Sequence, residues 1–297
     1  MSELLSNHDF KFQKKYGQNF LTDVKIPRRI ALECTDFVFP DADALPESKA
    51  KSLMLEIGPG AGILTKELAK RFEKVIAVEI DENLKGVLSE SLNGYDNISI
   101  HWGDILDANL DDLLNRARDS YDGSLPVSVC ANLPYYITTP IIMKLLEEYD
   151  RFDFITVMVQ KEVATRLCAS PTSADYGAIT AQINLYGTVK RLFTVPSGCF
   201  FPRPKVDSAV IRIELYKTPK YTKEEMLGAS KLIKAAFSMR RKTLINALLG
   251  ICPKDMSKEK LADIISSTLN VPEDVRGEKL TSDNFVTLYK ALSKYGL

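Results

Sequence analysis

The sequence predicts an α/β domain with a mainly parallel sheet, followed by a small all-α domain. Two observations carry that expectation. From residue 52, short apolar runs alternate with amphipathic segments at the spacing of βαβ units. Beyond residue 217 the apolar positions recur only at helical intervals. The change places a boundary near 217 and gives domains of 1–217 and 218–297.

In chain order, SLMLEI (52–57) reads as a buried strand, followed by glycines and the helical stretch ILTKELAKRF. KVIAVEI (74–80) is a second strand, leading into helical ENLKGVLSESL. NISIHW (97–102), PVSVCAN (126–132) and FDFITVMVQ (152–160) follow as the third, fourth and fifth. Two further β-rich runs are expected at ITAQINLYGTVKRLFTV (179–195) and VDSAVIRIELY (206–216). Three helical stretches fill the remainder, with turn signals at Gly250–Pro253 and Val271–Pro272. Ligands of open parallel sheets bind at the carboxyl ends of the strands, so the chemistry is sought there.

Composition narrows the class. The 297 residues hold 39 Lys+Arg and 39 Asp+Glu, and are 45% hydrophobic and 26% charged. Such fractions exclude a largely disordered or collagen-like chain. No uncharged apolar run approaches the roughly 18 residues of a membrane span, and no apolar secretory segment opens the sequence. A soluble cytoplasmic protein is expected. Cys34, Cys130, Cys168, Cys199 and Cys252 are scattered without metal-type or thioredoxin-type spacing, which favours reduced thiols. With only two histidines, His8 and His101, neither a His-centred metal site nor a Ser/His/Asp hydrolase is expected.

Zero net charge conceals an uneven distribution. Residues 10–29 carry six basic residues and one acid, and residues 231–242 carry five basic residues and no acid. The stretch 104–122 holds six Asp. Two basic clusters suit a polyanion-binding face, although solvated helix faces have the same composition.

Glu56-Ile57-Gly58-Pro59-Gly60-Ala61-Gly62 ends the first of these strands and opens a helix, and its glycines let the backbone approach a ligand closely. A dinucleotide fingerprint wants its third glycine where Ile63 stands, so the spacing points away from NAD and towards S-adenosylmethionine. Glu79 follows Gly58 by 21 residues and can accept hydrogen bonds from a ribose of either cofactor. Asp104, after the third strand, can accept from an adenine amino group. Each alone is an ordinary carboxylate; together they outline a nucleoside pocket.

Asn132-Leu133-Pro134-Tyr135 follows the fourth strand and is the sharpest motif. An adenine amine is a poor nucleophile because its lone pair is delocalised into the ring. An Asn oxygen and a nearby backbone carbonyl can accept its two N–H groups and localise that pair towards a sulfonium methyl. Pro134 fixes the turn and exposes a carbonyl, and Tyr135 offers a face on which a flipped base can stack. No histidine base is needed, since the product proton can leave to water. Transfer then rests on positioning and electrostatics. Phe200-Phe201-Pro202-Arg203-Pro204-Lys205 joins aromatics to two cations in a stiff loop, suited to stacking and phosphate contact, or simply to core and edge packing. Arg240, Arg241 and Lys242 are expected to open a helix and to meet phosphate or solvent.

These elements resemble the family of ribosomal RNA adenine N6,N6-dimethyltransferases of the small subunit. The match runs nearly end to end through YGQNFL (16–21), EIGPGAGILT (56–65), VEID (78–81), GDIL (103–106), NLPYYITTP (132–140), QKEVATRL (160–167), FFPRPKVDSAVI (200–211), FSMRRKTLINAL (237–248) and VRGEKL (275–280). The resemblance implies a Rossmann-like methyltransferase domain with a small helical domain. It also implies S-adenosylmethionine as methyl donor, and 16S rRNA within the 30S subunit or its precursor as partner. Its cofactor contacts fall on Asn19, Leu21, Gly58, Glu79, Asp104 and Asn132, with Gly60 in the same loop. Its catalytic motif falls on Asn132, Leu133, Pro134 and Tyr135, and Phe200 matches the aromatic that helps hold the target base. Lys14, Lys15, Arg203, Lys205, Arg240, Arg241 and Lys242 are the expected RNA contacts. A related resistance enzyme acting on large-subunit RNA is the nearest alternative, and a non-catalytic assembly factor a second. An NAD-dependent oxidoreductase is disfavoured by the glycine spacing. Nothing points to an obligate dimer.

Overall fold

The computed structural model describes residues 2–36, 49–118, 125–171, 173–239 and 241–297. Arg240, Asp119 and Asp122 lie outside these residues. The chain divides into two compact units, Met1–Ala164 with Lys190–Leu215, and Thr165–Val189 with Tyr216–Leu297. The longer segment of the second unit starts at Tyr216, and its other segment is Thr165–Val189.

Among the described residues, nine strands form two sheets: β1 Phe20–Leu21, β2 Ala50–Ile57, β3 Phe72–Glu79, β4 Ile98–Trp102, β5 Val127–Asn132, β6 Phe154–Gln160, β7 Gly187–Val195, β8 Phe200–Phe201 and β9 Ser208–Leu215. The large sheet runs β4-β3-β2-β5-β6-β9-β7. Strands β4 to β6 along that order are parallel, and β9 lies antiparallel to β6. The central strand β2 is buried at six consecutive positions, Ser52–Ile57, the continuous burial of a strand covered on both faces. The outlying pair β1 and β8 is antiparallel, with Phe20 opposite Phe201 and Leu21 opposite Phe200.

Helices of the first unit are α1 Ser2–Asn7, α2 Lys25–Leu32, α3 Ile63–Arg71, α4 Lys85–Ser91, α5 Leu110–Arg118 and α6 Thr138–Glu147, and α7 Lys161–Leu167 crosses the division between the units. Helices α3 and α4 connect successive parallel strands, as the alternating pattern requires. The switch from α3 to β3 is sharp, because Arg71 ends the helix and Phe72 is already extended. Buried Asn97 secures it, its amide nitrogen donating to the carbonyls of Ala69 and Phe72 at 2.9 and 3.0 Å.

The second unit contains α8 Ala178–Tyr186, α9 Lys223–Ser238, α10 Leu244–Leu248, α11 Lys258–Leu269 and α12 Ser282–Ser293. Thr222 and Thr281 open α9 and α12 with reciprocal capping hydrogen bonds to Glu225 and Asn284. Helices α9 and α12 meet at Gly228, where an added Cβ would fall 2.1 Å from the ring of Tyr289. Two expectations are corrected here. The run 179–195 is a helix to Tyr186 and a strand only from Gly187. Six residues of α8 are buried, which removes the one-sided period that would have marked it as helical. Arg241 and Lys242 lie in the turn between α9 and α10 rather than opening a helix.

Asn97→Ala leaves two buried carbonyls without their donor, and equilibrium urea unfolding should show a loss of about 2 kcal/mol. An unchanged midpoint would show that the α3–β3 switch does not depend on this amide.

Candidate active site

The carboxyl ends of β2, β3, β4 and β5 face one cleft with about 780 Å³ of empty space. It is lined by Gly58, Gly60, Glu79, Asp104, Asn132 and the segment Tyr16–Phe20, among others. Sheet register makes this convergence unavoidable: Ile57 sits beside Val78 and Ala131, and Glu79 beside Trp102.

After β2, Gly58, Gly60 and Gly62 take φ values of +69°, +58° and +80°. That left-handed succession folds the loop back on itself and aims the Gly60 N–H at the Glu79 Oε2, 3.1 Å away. The Asp81 N–H donates to the other oxygen, Oε1, at 2.8 Å. Burial raises the Glu79 carboxyl above its ordinary value while these two donors act in the opposite direction. A Cβ on Gly58 would meet nothing within 4 Å, so this backbone faces open space. On the other side, a Cβ on Gly60 would fall 2.9 Å from the Phe20 ring, so β1 is packed directly on the loop.

Asp104 accepts from the Leu106 N–H through Oδ1 at 2.9 Å, which holds the carboxylate at the end of β4. Asn132, the last residue of β5, donates from Nδ2 to the Asn19 carbonyl at 2.9 Å. Its amide nitrogen is thereby engaged, and Oδ1 is the acceptor it presents. The Asn19 side chain turns back to its own loop, with Nδ2 on the Gly17 carbonyl at 3.0 Å.

Pro134 differs from expectation. Its carbonyl is not exposed for substrate but accepts from the Ile137 N–H at 3.2 Å and the Thr138 hydroxyl at 3.1 Å, at the start of α6. One residue earlier, the Leu133 N–H donates to the Met158 carbonyl at 3.1 Å, and among the described residues nothing donates to the Leu133 carbonyl. Tyr135 is half-buried, its hydroxyl paired with Ser208 Oγ at 2.8 Å. Phe200 points into the core at 4% exposure, because alternate strand residues face opposite sides, and Phe201 is the exposed ring at 48%. Phe201 stands edge-on to Phe12 with centroids 5.4 Å apart. Leu21 is likewise core, and lines a small adjoining cavity with Glu56, Gly58 and Asn132.

Of the expected RNA contacts, Lys15, Arg203, Lys205, Arg241 and Lys242 are exposed. Lys14 lies in a short 3-10 turn, Lys15 sits 4.4 Å over the Tyr16 ring, and Arg203 donates to Ser197 Oγ at 3.1 Å. Lys14, Lys15, Arg203 and Lys205 belong to one unit and Arg241 and Lys242 to the other.

Three residues of the site have no role in the sequence reading. Asp81 accepts from Gln18 Nε2 at 2.7 Å, tying the N-terminal segment to the end of β3. Tyr136 is exposed at the cleft. Glu56, 1% exposed, has no hydrogen-bond partner of normal geometry on either oxygen. Burial pushes its carboxyl up to about 8, and the Thr65 hydroxyl nearby offsets only part of this. Only the acid immediately before the glycine loop could have flagged Glu56 in advance.

The family model described as ribosomal RNA adenine dimethylase matches residues 9–294. The chain belongs to that family. A curated relative from Lachnoclostridium phytofermentans, "Ribosomal RNA small subunit methyltransferase A", is 42% identical over 288 residues, covering 96% of this chain and 93% of its own. Its counterpart from Bacillus pumilus is 39% identical over 294 residues, covering 98% and 95%. Among solved structures, a dimethyladenosine transferase from Plasmodium falciparum shares the fold with a TM-score of 0.73 at 23% identity, covering 94% of this chain and 98% of that one. The 23S rRNA methyltransferase ErmE does so with 0.63 at 24% identity, covering 92% and 99%.

As a family member, the chain is a methyltransferase that uses S-adenosylmethionine, on a Rossmann-like fold. The cleft fits that donor in that it offers an open-faced glycine backbone and two carboxylates, Glu79 and Asp104, at the ends of β3 and β4. No group of three or more His, Cys, Asp or Glu suited to a metal occurs among the described residues, and no helix there is long and apolar enough to cross a membrane.

Glu56 generates a pH prediction. In the unfolded chain its carboxyl ionises near the ordinary 4.5, whereas the folded chain retains the proton up to about 8. Rising pH between those values therefore favours unfolding. Glu56→Gln lacks this penalty, so its stability relative to wild type should increase by at most about 1.4 kcal/mol per pH unit. Urea unfolding at pH 5.5 and 8 reads the difference, and a gap that does not change with pH would contradict the assignment.

Proposed function

We propose that the protein transfers methyl groups from S-adenosylmethionine to N6 of two adjacent adenosines of 16S rRNA, twice on each, within the 30S subunit or its precursor. The observation that carries the mechanism is the Asn132 amide fixed on the Asn19 carbonyl at the mouth of β5. The bound donor supplies a methyl carried on a positively charged sulfur. Gly58, Gly60, Glu79 and Asp104 hold its nucleoside and tail at the strand ends, with Asn19 and Leu21 in the segment that covers the glycine loop.

The residues of the chain then prepare the acceptor. Asn132 Oδ1 accepts one N–H of the target amine and the Leu133 carbonyl accepts the other, localising the nitrogen lone pair towards the methyl. Both acceptors are held before substrate arrives, so little reorganisation accompanies reaction. Tyr135 supplies a ring for the extruded base, its hydroxyl anchored on Ser208. Phe201 offers a second, outward face, with Phe200 supporting it from the core. The proton released from nitrogen passes to water. Lys14, Lys15, Arg203 and Lys205 meet RNA phosphates around the cleft, and Arg240, Arg241 and Lys242 do so from the helical unit. The reading includes a cytoplasmic, monomeric protein.

Nothing in the cleft distinguishes small-subunit from large-subunit RNA. The curated relatives named for the small subunit support the former. Labelled methyl transfer to unmethylated 30S particles, with mass spectrometry of the nucleosides, should yield dimethyladenosine. Incorporation into 50S particles alone would overturn the substrate. Asn132→Ala should retain the fold and lose at least about a hundredfold in transfer rate. Wild-type rates in that variant would remove the mechanism.

A further inference from the structure

We propose that Tyr136 is a cofactor-binding residue whose ring closes the cleft and stacks on the adenosine half of the methyl donor. The proposal rests on the cleft being the donor site and adds a contact that lies outside the Asn132–Tyr135 motif.

Tyr135 and Tyr136 are consecutive, and their side chains diverge. Tyr135 is half-buried and tethered to Ser208 on β9. Tyr136 lines the cleft and is 61% exposed, a large aromatic left largely in water. Its ring is nevertheless placed. Two of its carbons, Cδ1 and Cε1, lie 3.4 and 3.5 Å from where a Cβ on Gly17 would stand. Gly17 is at φ +57°, belongs to the N-terminal segment and lines the same cleft, so the ring packs on its backbone.

Tyr136 lines the cleft together with Gly103, Asp104 and Ile105 from the end of β4, which puts the ring on the donor's side rather than the RNA's. Burial, with the negative charge of Asp104 and the neighbouring Tyr16, raises the Tyr136 hydroxyl and keeps it a neutral phenol. Asp104, at the end of β4, is the carboxylate positioned for the adenine amine of the donor. The acceptors for the target base, Asn132 and Leu133, lie at the end of β5. A ring near Asp104 and over Gly17 is therefore beside the donor's adenosine, and stacking there covers the face now left to water. Aromatic–base stacking tolerates some freedom of register, since every base presents a flat π-face. It needs no hydrogen bond from the hydroxyl.

The test is calorimetric binding of S-adenosylhomocysteine and of 5′-methylthioadenosine, which lacks the amino-acid tail, to the full chain without RNA. Tyr136→Ala should weaken both ligands by about tenfold, and Tyr136→Leu, which keeps bulk without a π-face, should weaken both as well. Tyr136→Phe should stay within about twofold. Thermal melts of the variants check the fold, which so exposed a side chain should not perturb. Unchanged affinity in Tyr136→Ala overturns the proposal. So does a loss confined to S-adenosylhomocysteine, which would place the contact on the tail. A raised KM for RNA with unchanged ligand affinity would move Tyr136 to the target base. Wild-type protein that binds neither ligand would refute the donor cleft itself, an outcome separate from these.

Discussion

The left-handed turn through Gly58, Gly60 and Gly62 is the constraint on which the site depends. A side chain at any of the three would be strained, and at Gly60 it would also strike Phe20. Because the turn folds back, one backbone N–H reaches Glu79 and thereby links the end of β2 to the end of β3. The same turn gives Phe20 a flat bed, which brings Asn19 within reach of Asn132. The glycine loop, the Glu79 carboxylate, the N-terminal segment and the Asn132 amide are thus one connected arrangement.

Two buried acids a short distance apart in sequence behave differently, and the difference is one of partners. Glu79 receives two backbone donors, which support its charged form against burial. Glu56 has none of normal geometry, and its charge is disfavoured accordingly. A site handling a positively charged donor can use a held carboxylate at its edge. It has no use for a second uncompensated negative charge in the core. Burial also raises the Cys130 thiol, in the same sheet register as Glu56, so the interior beneath the cleft remains uncharged.

The strands and the glycine turn were legible because their signals are local: apolar runs of strand length, glycines between them and acids at their ends. Gly58, Glu79, Asp104 and Asn132 converge because parallel strands share one carboxyl edge. Helix α8 was not legible, since a segment buried on most sides shows no period. The carbonyl at Pro134 was misassigned for a related reason: whether a carbonyl is free depends on where the next helix begins, and α6 takes it. The N-terminal segment drew its meaning from the family resemblance alone. Its anchors, Gln18 on Asp81 and the Asn19 carbonyl on Asn132, join residues far apart in sequence, and no spacing rule encodes them.

In the mechanism we propose, the pair of acceptors also explains how one site can act twice on the same nitrogen. An unmodified amine fills both Asn132 Oδ1 and the Leu133 carbonyl. After one transfer a single N–H remains, and one acceptor loses its partner. In a closed core that loss would cost about 1–3 kcal/mol and discourage a second round. Here both acceptors border an open cleft, where water can replace the missing N–H. The remaining bond is sufficient to orient the lone pair, because Asn132 is fixed through its other end by the Asn19 carbonyl rather than by the substrate. On the proposed mechanism, orientation supplied by the protein, and not by the full complement of substrate hydrogens, is what allows the second methyl to follow the first.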